Sequence, residues 1–182
     1  MEEGTKLARE GKTEEAVEKY QRAKELDKVA YIPNLKNIDP EAKAKYEASD
    51  AMLDKGSELV EEGKVKEAIS SYKQAEKIDP TQISASNWNT LCWNGSLYKQ
   101  AANVMFACEK AVALSPKDGN ITDSRGLARA LTGNIEGAIA DFQVFVEWTD
   151  DEEDKAQRQE WIEALQAGEN PFTDEVLEKL KD

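Results

Sequence analysis

The chain has 182 residues, 40% of them from the hydrophobic set and 34% charged, which supplies enough apolar material for a packed core and too much for a disordered tail. Its net charge of −13 argues against nucleic-acid binding, because an acidic surface repels phosphate backbones. Histidine is absent, which removes the usual general base and the commonest zinc ligand together.

In chain order, the opening Met1-Glu2-Glu3-Gly4 is acidic where a secretory signal would be basic. A short helix is predicted over Glu2–Glu10, and a second over the segment Glu10–Asp27 that follows a turn at Gly11. Pro33 and Pro40 place a loop in 29–45, ahead of a long helix from about Pro40 to Glu62. Glu62–Pro80 turns at Gly63 and continues as a helix with Val65, Ile69, Tyr72 and Ile78 on one face. Helices follow at Gln82–Leu97, Tyr98–Pro116, Asn120–Thr132 and Thr132–Asp150. After Asp151, Trp161, Ile162 and Leu165 mark a helix at Lys155–Gln166. Pro171 then breaks the chain, and Thr173 caps a last short helix carrying Val176, Leu177 and Leu180.

Four of these segments align with one another. Gly11, Gly63, Lys99 and Gly133 fall on the turns, Ala16, Ala68, Val104 and Ala138 correspond, and Tyr20, Tyr72, Cys108 and Phe142 stand four residues further on. The last two intervals are about 35 residues, the period of helix-pair solenoids, and the first carries an insertion of about 18. The glycines suit the left-handed conformation that closes a helix, and Thr13 and Asn134 after them suit the start of the next.

The pattern resembles the tetratricopeptide repeat, with its Trp-x2-Leu-Gly-x2-Tyr, then Ala-x3-aromatic, then Pro. The third unit supplies Trp88, Leu91, Cys92 in place of glycine, and Pro116. The second supplies Gly56, Ala68, Tyr72, Ala75 and Pro80; the fourth Gly126, Ala138 and Phe142; the first Gly4, Ala16, Tyr20 and Ala23. The resemblance implies an all-α, right-handed α-solenoid of about four helix-turn-helix units (1–30, 46–81, 82–117 and 118–150) with capping helices over 151–182, all in one domain. Lys28 stands where the first unit would have a proline, and its first helix is clipped by Met1, so a missing upstream segment is expected. The stretch from Asp123 to Phe172 is also similar to repeat segments of large bacterial multidomain proteins.

In this family the first helix of each unit lines a concave face. The resemblance thus implies an inward-facing, partner-binding set of Leu53 and Ser57, then Asn89, Trp93 and Ser96, then Asp123, Leu127 and Ala130. Trp93 lies about 140° around the helix from the structural Trp88, so the two cannot share a pocket. Trp93 is either a ligand contact or packed against Leu127 or the long second-unit helix. Between Pro80 and Pro116 only Lys99, Glu109 and Lys110 are charged, as befits the centre of an array or the wall of a binding surface. The carboxylate-clamp mode of some members finds no support, since Asp50, Leu53 and Asp54 stand where a cation is needed. An apolar or basic protein segment is the favoured partner, with self-association as a structural spacer the alternative.

No catalytic residue, metal ligand or cofactor is expected, nor membrane insertion. Gly11-Lys12-Thr13 lacks the earlier glycine and strand of a phosphate-binding loop. Ser96-x-x-Lys99 lacks the companion motifs of serine acyl-transferases. The run Asp150–Asp154 reads as a solvated helix start, and the Asn94 and Asn120 glycosylation-like triplets matter only in a secreted chain. Two cysteines are too few for a disulfide scaffold, so Cys92 and Cys108 are read as small packing residues in a reducing, cytoplasmic setting.

Overall fold

The computed structural model describes residues 1–27 and 39–181; the loop expected at 29–45 lies largely outside them, as does Lys28. Among the described residues there are ten α-helices and no strand. They are α1 (Glu2–Arg9), α2 (Thr13–Asp27), α3 (Pro40–Glu61), α4 (Val65–Ile78), α5 (Ala85–Leu97), α6 (Ala101–Leu114), α7 (Gly119–Leu131), α8 (Ile135–Trp148), α9 (Glu152–Gln166) and α10 (Asp174–Lys179). The helix expected from Gln82 begins later, because Pro80–Gln82 forms a 3₁₀ turn and Ser84 caps α5 through the Asn87 amide. None of these helices is long and apolar enough to cross a membrane.

The turns follow the sequence pattern. Gly11, Gly63 and Gly133 have φ of 80°, 78° and 85°, the left-handed region that glycine enters without a Cβ penalty. Lys99 holds the same place at φ 60° with a side chain attached. Asn134 caps α8 by accepting from the Gly137 amide, and Asp151 caps α9 by accepting from Glu153 and Asp154.

The described residues form two compact units, 1–56 with 70–83, and 57–69 with 84–182. In the first, Ala8, Ala16, Tyr20 and Ala44 form a core cluster. A Cβ placed on Gly4 would come within 2.7 Å of the Tyr20 ring, and one on Gly56 within 2.7 Å of Tyr72. Glycine is thus required where an aromatic from the partner helix lies flat on the backbone. The Tyr20 hydroxyl and Thr5 Oγ1 are hydrogen-bonded at 2.9 Å. Arg9 of α1 reaches Asp50 and Asp54 of α3 at 2.6 and 2.5 Å.

In the second unit α5 packs on α6, α7 on α8, and α5, α6 and α7 on one another, with α9 closing against α8. The glycine–aromatic contact recurs at Gly126, where an added Cβ would meet Phe142 at 2.8 Å. Phe142 continues into an aromatic cluster with Trp161 (5.5 Å) and Phe172 (6.0 Å). Trp88 packs edge-on against Phe106 of α6, and Lys110 lies over its ring. The small and aromatic signature residues Ala16, Tyr20, Ala68, Tyr72, Trp88, Leu91, Ala138 and Phe142 are all buried.

One reading of the sequence is corrected here. Cys92 and Cys108 are not free packing residues: they form a disulfide between α5 and α6, with Cα atoms 4.9 Å apart. They occupy the two positions that carry Gly and an aromatic in the other three pairs, Gly4 with Tyr20, Gly56 with Tyr72 and Gly126 with Phe142. The helices must approach closely at that point whichever chemistry is used. A flat ring over bare backbone does it three times, and a covalent bond does it once.

Candidate protein-interaction surface

The surface is built from the first helices of the second compact unit, α5 and α7, which lie side by side. On α5, Asn89 and Trp93 are one turn apart and share a face. Both are half-buried, and the Asn89 side-chain oxygen is enclosed without a hydrogen-bond partner among the described residues. Ser96 is fully buried and donates to the Cys92 carbonyl at 2.7 Å, which holds its hydroxyl on its own helix. On α7, Ala130 is half-buried, whereas Leu127 and Asp123 are buried. Trp93 and Ala130 pack against the same core cluster that contains Leu97, Leu127 and Leu177. Trp93, Leu127 and Ala130 therefore belong to one apolar cluster. Ser57 is half-buried and bonded to Glu61; Leu53 is buried in the first unit.

Asp123 has a partner the sequence did not reveal. Arg158 of α9 donates Nε to its Oδ1 at 3.1 Å and Nη2 to its Oδ2 at 2.8 Å, a two-pronged bond. The guanidinium is sandwiched against the Phe145 and Trp161 rings, 4.9 and 4.6 Å from their centroids. Burial still pushes the Asp123 carboxyl above its ordinary pKa, against the lowering by Arg158. Arg125 and Arg129 are likewise engaged: both clamp the buried Asp141 at 2.7 and 2.9 Å and both reach Glu109. Neither offers a bare cation to an incoming carboxylate.

The rest of the surface is supplied by the chain's own C-terminal segment. Leu177 of α10 is buried in the cluster with Leu97 of α5 and Leu127 of α7, and Leu180 packs against it. Asp174 pairs with Lys99 at 2.6 Å, and Lys181 lies 4.1 Å above the Tyr98 ring. Beside this segment is a cavity of about 400 Å³ lined by Lys99, Ala102, Leu131, Phe172 and Leu177 among others.

Helix pairs closed by a residue pair at the crossing point recur four times among the described residues, at Gly4 with Tyr20, Gly56 with Tyr72, Cys92 with Cys108 and Gly126 with Phe142. Residues 49–82 match the tetratricopeptide repeat family model. The crystal structure of the P58(IPK) TPR domain is similar in fold, with a TM-score of 0.59 at 17% sequence identity over 91% of this chain. The similarity covers 45% of that solved chain. A comparison with curated proteins finds no significant match.

Proposed function

We propose that the protein is a non-catalytic adaptor that holds a segment of another protein against the α5–α7 face. The observation that carries this is the pair Asn89 and Trp93. An amide oxygen without a partner among the described residues and a half-buried indole stand one turn apart in a stretch whose charged residues are sparse. An aromatic of that kind gives large contact area at low entropic cost, and the enclosed Asn89 oxygen accepts from a partner once its side chain turns outward. The contact itself is apolar, and the net charge of −13 favours a partner with basic residues around it. The disulfide argues for an oxidising compartment over the reducing cytoplasm that the cysteine count suggests.

Capture of partners from native lysate by the wild-type chain and by Trp93→Ala tests this reading. The variant should lose the partner while keeping its far-UV circular dichroism. Equal capture by both would refute the α5–α7 face as the contact. Self-association as a spacer is the second reading, favoured by the exposed Leu114, Val144 and Trp148 on α6 and α8. Sedimentation at several concentrations separates the two, because a strict monomer that captures a partner excludes the spacer.

A further inference from the structure

The helix α10 is held unlike the others. It has six residues, too few to be helical alone, and is started by Thr173, whose Oγ1 accepts from the Val176 amide. Its inward contacts are one buried leucine, Leu177, with Val176 and Leu180 half-buried. Its polar contacts to α5 and the following turn are the Asp174–Lys99 pair, more than half exposed on both sides, and Lys181 over Tyr98. Surface pairs of this sort contribute little. The remaining charges pair within the segment, Glu175 with Lys179 and Glu178 with Lys181. By contrast α9 is fixed by Trp161, Ile162, Leu165 and the buried Arg158–Asp123 bond.

The connection to α10 separates the two. Gly168 ends α9 at φ 77°, and Phe172 is anchored in the aromatic cluster, 5.0 Å from Trp161. Residues 173–181 thus follow a point fixed at Phe172. What they border is a cavity of about 400 Å³ walled by Ala101, Ala102, Leu131 and Phe172, with Lys99 at its edge, and Leu177 fills one side of it as part of the apolar cluster that contains Leu97 and Leu127.

We propose that residues 173–181 are a displaceable internal ligand. The site they occupy takes a short amphipathic helix from another protein. That helix carries two leucine-type residues three apart and an acidic residue in its first turn facing Lys99. The chemistry is read from the segment already seated there, Thr173 to Lys181, with Leu177 and Leu180 as anchors and Asp174 as the acid. This rests on the adaptor reading above and adds what the adaptor recognises and what keeps it closed. The apparent affinity of a covered site falls by the fraction of time it is uncovered.

The test uses the full chain and a fluorescein-labelled peptide of the sequence Thr-Asp-Glu-Val-Leu-Glu-Lys-Leu-Lys. By fluorescence anisotropy the Leu177→Ala/Leu180→Ala chain, whose strap is weakened, should bind this peptide at least ~10-fold more tightly than wild type. Adding Lys99→Glu to that chain should weaken binding again. Hydrogen exchange of the wild-type protein covers the case in which the double variant fails to fold. The amides of 174–180 should exchange well ahead of those of α9. Equal peptide affinity in a folded double variant, or exchange of α10 no faster than α9, overturns the proposal. A dimer that forms by trading this segment between copies also overturns it, since the occupant is then a second copy. A lysate partner that depends on Trp93 but is indifferent to Leu177→Ala/Leu180→Ala removes the strap and leaves the adaptor standing.

Discussion

Cys92 and Cys108 sit at the crossing where the other helix pairs place Gly and an aromatic, so their energetics must be coupled. Cys92→Gly breaks a bond between residues 16 apart in sequence. Chain-entropy reasoning for a loop of that size gives a loss of about 3 kcal/mol. Cys108→Tyr breaks the same bond and also drives a ring onto the Cβ of residue 92. At the equivalent glycines a Cβ would stand 2.7–2.8 Å from the ring, inside any real contact. Overpacking of that sort adds about 1–3 kcal/mol to the lost bond. The double variant Cys92→Gly/Cys108→Tyr removes the bond and the clash together, and buries an aromatic worth about 2–3 kcal/mol of transfer energy. It should lie within about 1 kcal/mol of wild type. The coupling between the two sites is then at least ~6 kcal/mol, where independent sites add to within about 0.5. Urea unfolding followed by circular dichroism without reductant measures all four corners of the cycle. With reductant present, wild type should weaken toward Cys92→Gly while the double variant stays put. If the double variant is destabilised by the sum of the singles, the two cysteines do not replace the glycine–aromatic contact and the argument fails.

Other expectations concern single residues. Lys99 holds a left-handed turn with φ 60° where its three counterparts are glycines, so Lys99→Gly should stabilise the chain by about 0.5–1 kcal/mol and raise its Tm. A lowered Tm would show that the Asp174 pair outweighs the backbone strain. Asp123, with its pKa raised by burial, holds its proton more tightly in the folded state than in the unfolded chain. Its contribution to stability is thus present below the ordinary carboxylate pKa and is lost as pH rises through the raised value. Carbon-detected NMR titration of its carboxyl reads this directly, and a midpoint at or below the ordinary value would contradict it.

Local periodicity made the repeat legible. Gly56 with Tyr72 and Gly126 with Phe142 are set by short-range spacing, and the turns at Gly11, Gly63 and Gly133 announce themselves by composition. The disulfide is hidden from any reading that takes Cys92 and Cys108 one at a time as small residues. Their replacing both members of one glycine–aromatic pair together was the signal that could have found it. Arg158 was out of reach for another reason: its partner Asp123 is 35 residues away, and nothing local distinguishes it from an exposed arginine. The spacing of Val176, Leu177 and Leu180 revealed a helix and its apolar side. That this side joins the apolar cluster of Leu97 and Leu127 depends on how α9 and Phe172 direct the chain, which no local pattern encodes.

The partition of aromatics between the two compact units has a practical bearing on how the molecule can be watched. Trp88, Trp93, Trp148 and Trp161 all belong to 57–69 with 84–182, while the described part of 1–56 with 70–83 has only Tyr20, Tyr46 and Tyr72. Indole emission consequently reports on one unit and is blind to the other, whereas helical ellipticity sums both. Melting curves from the two signals coincide only if the units come apart as one cooperative block, so a mismatch between them would time the separate loss of each.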